Sequence, residues 1–510
     1  MARIVAILLA ALIFGALAET GSAASPPLSQ VGRWVTDAHG RVVILHGVNM
    51  VYKRPPYHPE AGGFDAADAR FLREAGLNTV RVGIIYKGVE PSPGKYDDAY
   101  LDRIAATVRA LGREGIFAML DFHQDLYNER FQGEGWPDWA VLDDGLPAEP
   151  KAGFPANYLV MPALNRAFDH FWANDPGPGG VGLQERYAAA WRHVAKRFRG
   201  NRWVMGYDLM NEPWPGSTWQ QCANPEGCPV FDAIMAQFIK RTIAAIREVD
   251  RRSLIWYEPN VLFNDGADTK VGDTGDPRAG FSFHDYCLTQ GGTQSDPLRN
   301  CDVFDDLVFQ NAEDHVQDVG DTLLLTEFGA TDDLDTMRQM VERADSFMVG
   351  WQHWHYCGCD DPTTSGPGDT QAIVIDPDEP PKGDNLKSEK LDVLSRPYPR
   401  RIAGTPRSFS FDSDAGVFEL DYETRGPGGR RFGKNGVTKV FLPERQYPDG
   451  YAVEVEDARV LSEPGAEDLR LAPCHDRIRN IEVRVTRGKG PVTGPGCKQA
   501  PPKLISARGR

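Results

Sequence analysis

Val204-Met205-Gly206-Tyr207-Asp208-Leu209-Met210-Asn211-Glu212-Pro213 and Leu323-Leu324-Leu325-Thr326-Glu327-Phe328-Gly329 are the two stretches whose reading decides the fold. Each is a short, largely apolar run that ends at a glutamate and is closed by proline or glycine. Such a run, too short for a helix and bounded by a breaker, predicts a buried strand. Six more runs of this kind occur: Val42–Met50, Thr79–Ile84, Phe117–Phe122, Leu254–Tyr257, Gly280–Asp285 and Phe347–Tyr356. Amphipathic helical stretches separate them, among them Ala66–Ala75, Tyr100–Arg113, Leu183–Phe198, Phe231–Val249, Asp305–Val316 and Asp335–Arg343. Eight strands alternating with helices predict an α/β fold, a closed (β/α)₈ TIM barrel. A doubly wound open sheet fits less well, because Gly47-Val48-Asn49 follows the first strand where a Gly-rich phosphate turn would stand.

In a parallel barrel the carboxyl ends of the strands form the active face. Glu212 and Glu327 end the fourth and seventh strands, across the mouth from one another. A lone strand-end glutamate serves equally well as a salt-bridge partner. Two of them in Asn-Glu-Pro and Thr-Glu-Phe-Gly are the arrangement glycoside cleavage needs, in which one carboxylic acid protonates the leaving oxygen and the other attacks the anomeric carbon.

These two signatures resemble those of glycoside hydrolase family five. Arg81, His123, His284, Tyr286 and Trp354 fall at strand ends in the same pattern. More narrowly the chain resembles the endoglycoceramidases of that family. The resemblance is carried by His46-Gly47-Val48-Asn49 with Lys53, by Asp121-Phe122-His123-Gln124-Asp125, by Ala167-Phe168-Asp169-His170-Phe171-Trp172, and by Pro397-Tyr398-Pro399 with Ala403-Gly404-Thr405-Pro406. It spans about residues 31 to 490 and implies hydrolysis, with retention, of the β-glycosidic bond between oligosaccharide and ceramide. Glu212 would be the acid/base and Glu327 the nucleophile, their carboxyl groups about 5–5.5 Å apart. Asn211 would hold the sugar 2-hydroxyl, and Arg81 and Tyr286 would position Glu327, with Arg81 lowering its pKa. The charge of Glu327 would in turn keep Glu212 protonated. His123, Asp125 and Lys53 would bind sugar hydroxyls, His284 would belong to the same set, and Trp354 would form a stacking floor.

Each residue has a plainer reading beside this one. His123 and His284 also fit as core histidines, Trp354 as barrel packing, and Lys53 with Asp125 as a simple ion pair. An endo-β-glucanase or mannanase would share the two glutamates but would invest in a long aromatic cleft. A non-catalytic glycolipid-binding protein would have no need of an intact Glu212, Glu327, Asn211, His284 and Tyr286. His353, His355, Cys357 and Cys359 invite a zinc reading, but along a strand four such residues spread over about 20 Å instead of converging. The mechanism calls for no metal and no cofactor.

From Phe131 to Asp175 runs a connection too long for an ordinary barrel loop and rich in Trp, Phe, Pro and Leu. Its Trp136, Trp139, Leu142, Phe154, Leu159, Val160, Met161 and Phe168 predict either a ceramide slot, reached from a membrane or micelle, or a cap on the barrel core. Beyond Ser408 the pattern changes to alternating strands, which predicts a C-terminal antiparallel β-sandwich. Its Phe409, Phe411, Phe418, Tyr422 and Phe441 fall at alternate positions, as core residues do. The chain thus divides into residues 1–24, a signal peptide with Arg3 before an apolar run from Ile4 to Ala18; a catalytic barrel over 25–396; the sandwich over 397–497; and an unordered tail over 498–510. Export and eight cysteines favour disulfides. Cys222 with Cys228, Cys287 with Cys301, and Cys474 with Cys497 are natural local pairs. Cys357 and Cys359, one residue apart on a strand, would rarely bridge. The formal charge of -16 argues against nucleic acid as a partner and against electrostatic docking on an anionic membrane, though not against apolar insertion.

Overall fold

The computed structural model describes residues 26–286, 301–364, 366, 368–488, 490 and 492–497. Eight parallel strands close into a barrel: β1 (His46–Met50), β2 (Thr79–Ile85), β3 (Phe117–His123), β4 (Val204–Asp208), β5 (Leu254–Tyr257), β6 (Ala279–Asp285), β7 (Thr322–Phe328) and β8 (Gly350–His353). β8 pairs with β1 to complete the ring. All eight strands are buried along their whole length, which is why their sequences read as continuous apolar runs instead of alternating ones.

The barrel interior changes character from bottom to top. Leu45, Met119, Met205, Trp256 and Leu324 pack together in its lower half, closed from beneath by Leu28, Val35 and Val43. Further along the same strands the apolar side chains give way to charged ones: Asp121 follows Met119, Asp208 follows Met205, Glu258 follows Trp256 and Glu327 follows Leu324, and all four are buried. In β7 the register slips between Leu325 and Glu327 against β6, so that Thr326 is an extra residue. Strict alternation from inward-facing Leu324 would turn Glu327 outward. The bulge reverses its face.

The sequence takes Val42–Met50 as one strand, but it is two. Val42–Val43 leaves the barrel and, with Ser29–Val31 and Trp34–Thr36, joins a seven-stranded sheet whose other members are Tyr398–Ile402, Thr438–Phe441, Asp468–Pro473 and Ala458–Val460. The second unit therefore begins at the amino end of the chain as well as near residue 397. A five-stranded sheet, Thr405–Asp412, Val417–Glu423, Asn480–Arg487, Tyr451–Glu456 and Val492–Gly496, makes the other layer. Its pairs are antiparallel except the last, which is parallel. Phe409, Phe411, Phe418, Tyr422 and Phe441 are all buried in the shared core. Tyr398 stacks on His46 (3.8 Å between centroids) and donates to Gly76 O, which locks the sandwich against the lower end of the barrel, opposite the charged mouth.

Cys222–Cys228 and Cys474–Cys497 are bridged, whereas Cys287 lies outside the described residues, as do residues 1–25 and 498–510. Cys357 and Cys359 are bridged to each other, against the expectation from strand geometry. The reason is that β8 ends at His353, not at Tyr356, and Cys359 takes a positive φ of 53°, folding the two Cα atoms to 5.2 Å. This also disposes of the zinc reading. His355, Cys357 and Cys359 do converge, but the two sulfurs are bonded to each other, and the ring nitrogens of His355 meet Val51 N–H and Cys357 O. His353 packs elsewhere, against Phe328.

Candidate active site

A cavity of about 370 Å³ opens at the carboxyl end of the barrel. Glu212, Glu327, Asn211, Tyr286, Lys53, Asp125 and Trp354 line it, so seven of the ten residues singled out from the sequence meet there. The other three, Arg81, His123 and His284, stand one layer beneath as supports.

Arg81 is the hub. It is wholly buried and its Nε donates to Asp208 Oδ2 (2.9 Å). Nη1 donates to Glu327 Oε1 (2.5 Å), and Nη2 to Asn211 Oδ1 (3.0 Å) and Glu258 Oε1 (2.8 Å). Asp121 Oδ1 lies 3.1 Å from Nη2. One guanidinium thus fixes the orientation of the residues bearing on both glutamates. A lysine could not replace its planar fork.

Glu327 accepts from Arg81 on Oε1 and from the Tyr286 hydroxyl on Oε2 (2.7 Å). Burial pushes its carboxyl up to about 7, against the downward pull of His284 and Arg81, while Glu212 and Glu258 add to the rise. This corrects the expectation that Arg81 would hold Glu327 at low pKa. The arginine does pull in that direction, but the desolvation of a fully enclosed carboxyl outweighs it.

Glu212 Oε1 accepts from Asn264 Nδ2 (2.9 Å) and meets His284 Nδ1 at 2.9 Å. Both contacts fall on Oε1 and not on Oε2. An oxygen of Glu212, an oxygen of Glu327 and a ring nitrogen of His284 all lie within 4.8 Å of one another. So close an approach suits the roughly 5–5.5 Å between carboxyl groups of a pair acting by double displacement better than the roughly 6.5–9.5 Å of an inverting pair. His284 feels burial against its charge, but Glu258, Glu327 and Glu212 hold it protonated well above the ordinary imidazole range.

On the β8, β1 and β3 side the lining is polar. Lys53 Nζ reaches Asp125 Oδ2 (2.7 Å), Asp361 Oδ1 (3.1 Å) and Thr363 Oγ1 (2.8 Å), and lies 4.6 Å over the Trp354 ring. Burial opposes its charge, but Asp125, Asp361 and Glu134 more than offset this and raise its pKa. The ion-pair reading of Lys53 and Asp125 and the binding reading are thus compatible, since the pair itself faces the cavity. His123 donates or accepts at Asp121 Oδ2 (2.8 Å) and stacks behind Trp354 (5.1 Å between centroids), and burial pushes its pKa down to about 4. It is a neutral backing for the indole, not a cavity wall.

On the β4 and β5 side the lining is mainly apolar, with Asn264 and Asp265 as its polar members. Phe154, Pro155, Tyr158 and Leu159 come from the long insertion, and Trp214, Val261 and Leu262 from the loops after β4 and β5. The insertion therefore both caps the core and lines the cavity. Trp136, Met161 and Phe168 are buried in the core, with Trp136 stacked on Tyr127 at 4.2 Å, while Phe154 and Leu159 face the cavity. Leu159 remains 50% exposed and Val160 44%, at the rim.

Sequence reasoning missed Glu258, Asn264, Asp361 and Glu134. Glu258 was within reach of the rule that found Glu212, since it follows Tyr257 directly at the end of β5. The others come from loops whose course no periodicity reveals.

Residues 36–360 match the model of cellulase, glycosyl hydrolase family 5, and residues 396–486 that of the glycoside hydrolase family 5 C-terminal domain. The chain belongs to glycoside hydrolase family 5. Endoglycoceramidase I of Rhodococcus hoagii is 33% identical over 477 residues, covering 91% of this chain and 86% of its own. The endoglycoceramidase of Hydra vulgaris is 29% identical and covers 82% of this chain and 81% of its own. Among solved structures, endo-glycoceramidase II from Rhodococcus sp. in complex with ganglioside GM3 superimposes with a TM-score of 0.72 at 31% identity, over 89% of this chain and 99% of that one. The lactosyl-enzyme intermediate of the same Rhodococcus enzyme superimposes equally well, at 32% identity.

Proposed function

We propose that this protein is an endoglycoceramidase, a retaining endo-β-glycosidase that hydrolyses the bond between oligosaccharide and ceramide in glycosphingolipids. The observation that carries the reading is a carboxylate pair, oxygens within 4.8 Å, set in a cavity polar on one side and mainly apolar on the other. A glycolipid has that same division at its scissile bond. The relatives and the ganglioside-bound structure lend further support. An endoglucanase would meet sugar on both sides of the bond and would gain nothing from Phe154, Leu159 and Val261.

In the reaction, Glu327 attacks the anomeric carbon while Glu212 gives its proton to the departing ceramide oxygen, and a covalent glycosyl-enzyme forms. Glu212, now a carboxylate, takes a proton from water, which attacks the anomeric carbon and releases Glu327. Asn211 donates one N–H to Gln124 O and keeps the other for the sugar 2-hydroxyl. Lys53, Asp125 and Trp354 hold the sugar on the polar side.

The apolar rim supports contact with a membrane or micelle. Besides Leu159 and Val160, the helix Cys301–Val319 exposes Val303, Phe304 and Leu307, and Phe304 shares a small recess with Asn264, Asp265 and Tyr286 beside the catalytic cavity. No helix among the described residues is long and apolar enough to cross a membrane. Export is inferred from the basic and apolar amino-terminal run, and the three described disulfides are in keeping with an oxidising compartment.

The experiment is product analysis by mass spectrometry after incubation with gangliosides and neutral glycolipids in detergent, with Glu327→Gln as control. The reading predicts intact oligosaccharide and free ceramide, absent with the variant. Cleavage of β-glucan or mannan without any release from glycolipid would refute it.

A further inference from the structure

Glu258, which directly follows β5, does not line the cavity, yet it holds three parts of the site at once. Its Oε2 accepts from the backbone N–H of Glu212 (2.8 Å), its Oε1 accepts from Arg81 Nη2 (2.8 Å), and His284 Nε2 lies 3.4 Å from that same oxygen. The contact with Glu212 falls where the chain is least able to hold itself. Glu212 has a φ of 42°, a left-handed conformation that a residue with a long side chain adopts only when its surroundings impose it. Gln124 Nε2 takes the carbonyl of Glu212 on the other side (3.1 Å), so the backbone is held from both ends. His284 stands between Glu212 and Glu258, with Nδ1 hydrogen-bonded to Glu212 and Nε2 3.4 Å from Glu258 Oε1.

We propose that Glu258 is a positioning residue for acid/base catalysis, holding the backbone of Glu212 and the ring of His284 in register so that the Glu212 carboxyl meets the leaving oxygen. The inference rests on the reading of Glu212 as the acid/base. Arg81 from β2, His284 at β6 and the backbone of Glu212 beyond β4 meet Glu258 itself, and Asp121 from β3, Asp208 from β4 and Glu327 from β7 gather on the same Arg81. Among these Glu258 has a claim on the nucleophile too, through Arg81, whose Nη1 serves Glu327 while Nη2 serves Glu258. The two routes predict different chemistry. In the first step, which kcat/KM reports, a group that acts through the acid matters only when the leaving group needs protonation. A group that acts through the nucleophile matters for every substrate.

The test compares Glu258→Gln with wild type and Glu212→Gln on two β-lactosides, one with an alkyl leaving group and one with dinitrophenolate, which departs without a proton. The amide cannot serve as acceptor to both Glu212 N–H and Arg81. The expected result is a fall in kcat/KM of about 10- to 100-fold on the alkyl glycoside and less than about threefold on the dinitrophenyl one, the same pattern as Glu212→Gln in milder form. Glu258→Asp, which keeps the charge but falls short of the Glu212 N–H, should show the same split should the amide variant fold poorly. Equal losses on both glycosides, or none on either, would overturn the proposal. Glu212→Gln without leaving-group dependence would overturn the acid/base reading itself, and the inference with it.

Discussion

Replacing Glu327 by glutamine should stabilise the protein, and increasingly so as the pH rises. The Glu327 carboxyl is raised from 4.5 to about 7 in the folded chain, chiefly by burial. A carboxyl raised in this way is protonated at no cost below its unfolded value. As the pH climbs from about 4.5 to 7 the unfolded chain gives up the proton first, and stability is lost until the folded group ionises as well. The interval of about 2.5 units, at about 1.36 kcal/mol each, is worth about 3 kcal/mol. Glutamine never ionises, so it escapes this penalty. Its carbonyl can still accept from Arg81 and its amide can donate to the Tyr286 oxygen. With an unfolding entropy of about 2.1 cal/mol/K per residue, a chain this long would show about 3 °C. The assay is thermal unfolding of wild type and variant at pH 5 and pH 8, and the expected finding is a melting-temperature difference that grows by about 2 °C in favour of Glu327→Gln at the higher pH, part of the loss being present already at pH 5. His284 stays charged across the interval in both proteins, because Glu258 and Glu212 still face it. A difference that stayed constant or shrank with pH would refute the reasoning that burial outweighs Arg81 at this carboxyl.

The same shift sets the acid limb of activity: kcat/KM should fall about tenfold per unit below pH 7, and a limb near 4.5 in a pH–rate profile would contradict it. Lys53→Met should destabilise the fold by about 3–5 kcal/mol in denaturant titration, because it leaves Asp125 and Asp361 buried without their counter-charge. Phe304→Asp with Val160→Asp should slow hydrolysis of vesicle-borne glycolipid about tenfold or more while sparing a soluble aryl lactoside, since each apolar side chain inserted is worth about 1.5–3 kcal/mol. Equal rates on the two substrates would remove the rim from the account.

The barrel was legible because a parallel sheet covered on both faces has no polar alternation, and its eight runs stood out between amphipathic helices. The two glutamates were legible because each ends such a run. What periodicity could not show were the places where the backbone departs from it. The bulge at Thr326 turns Glu327 inward, and the left-handed turn at Glu212 presents the other carboxyl. The early end of β8 allows Cys357 and Cys359 to bridge. Nor could the sequence place Ser29–Val43 with strands more than 350 residues away, since a sheet neighbour at that distance leaves no local trace. The pKa of Glu327 depends on how fully a carboxyl is enclosed, which only packing reveals. Glu258 is a different case: it stands at a strand end like the other two glutamates, and its buried partners, not its position, distinguish it from them.

The measurement that bears most directly on the central claim is covalent trapping. A 2-deoxy-2-fluoro lactosyl donor slows release of the sugar from the nucleophile, so the intermediate should accumulate and be found by mass spectrometry of digested protein. The account predicts one lactosyl adduct, on Glu327, and a β-configured product when normal turnover is followed by NMR. An adduct on another residue, or an α-configured product with none, would contradict it.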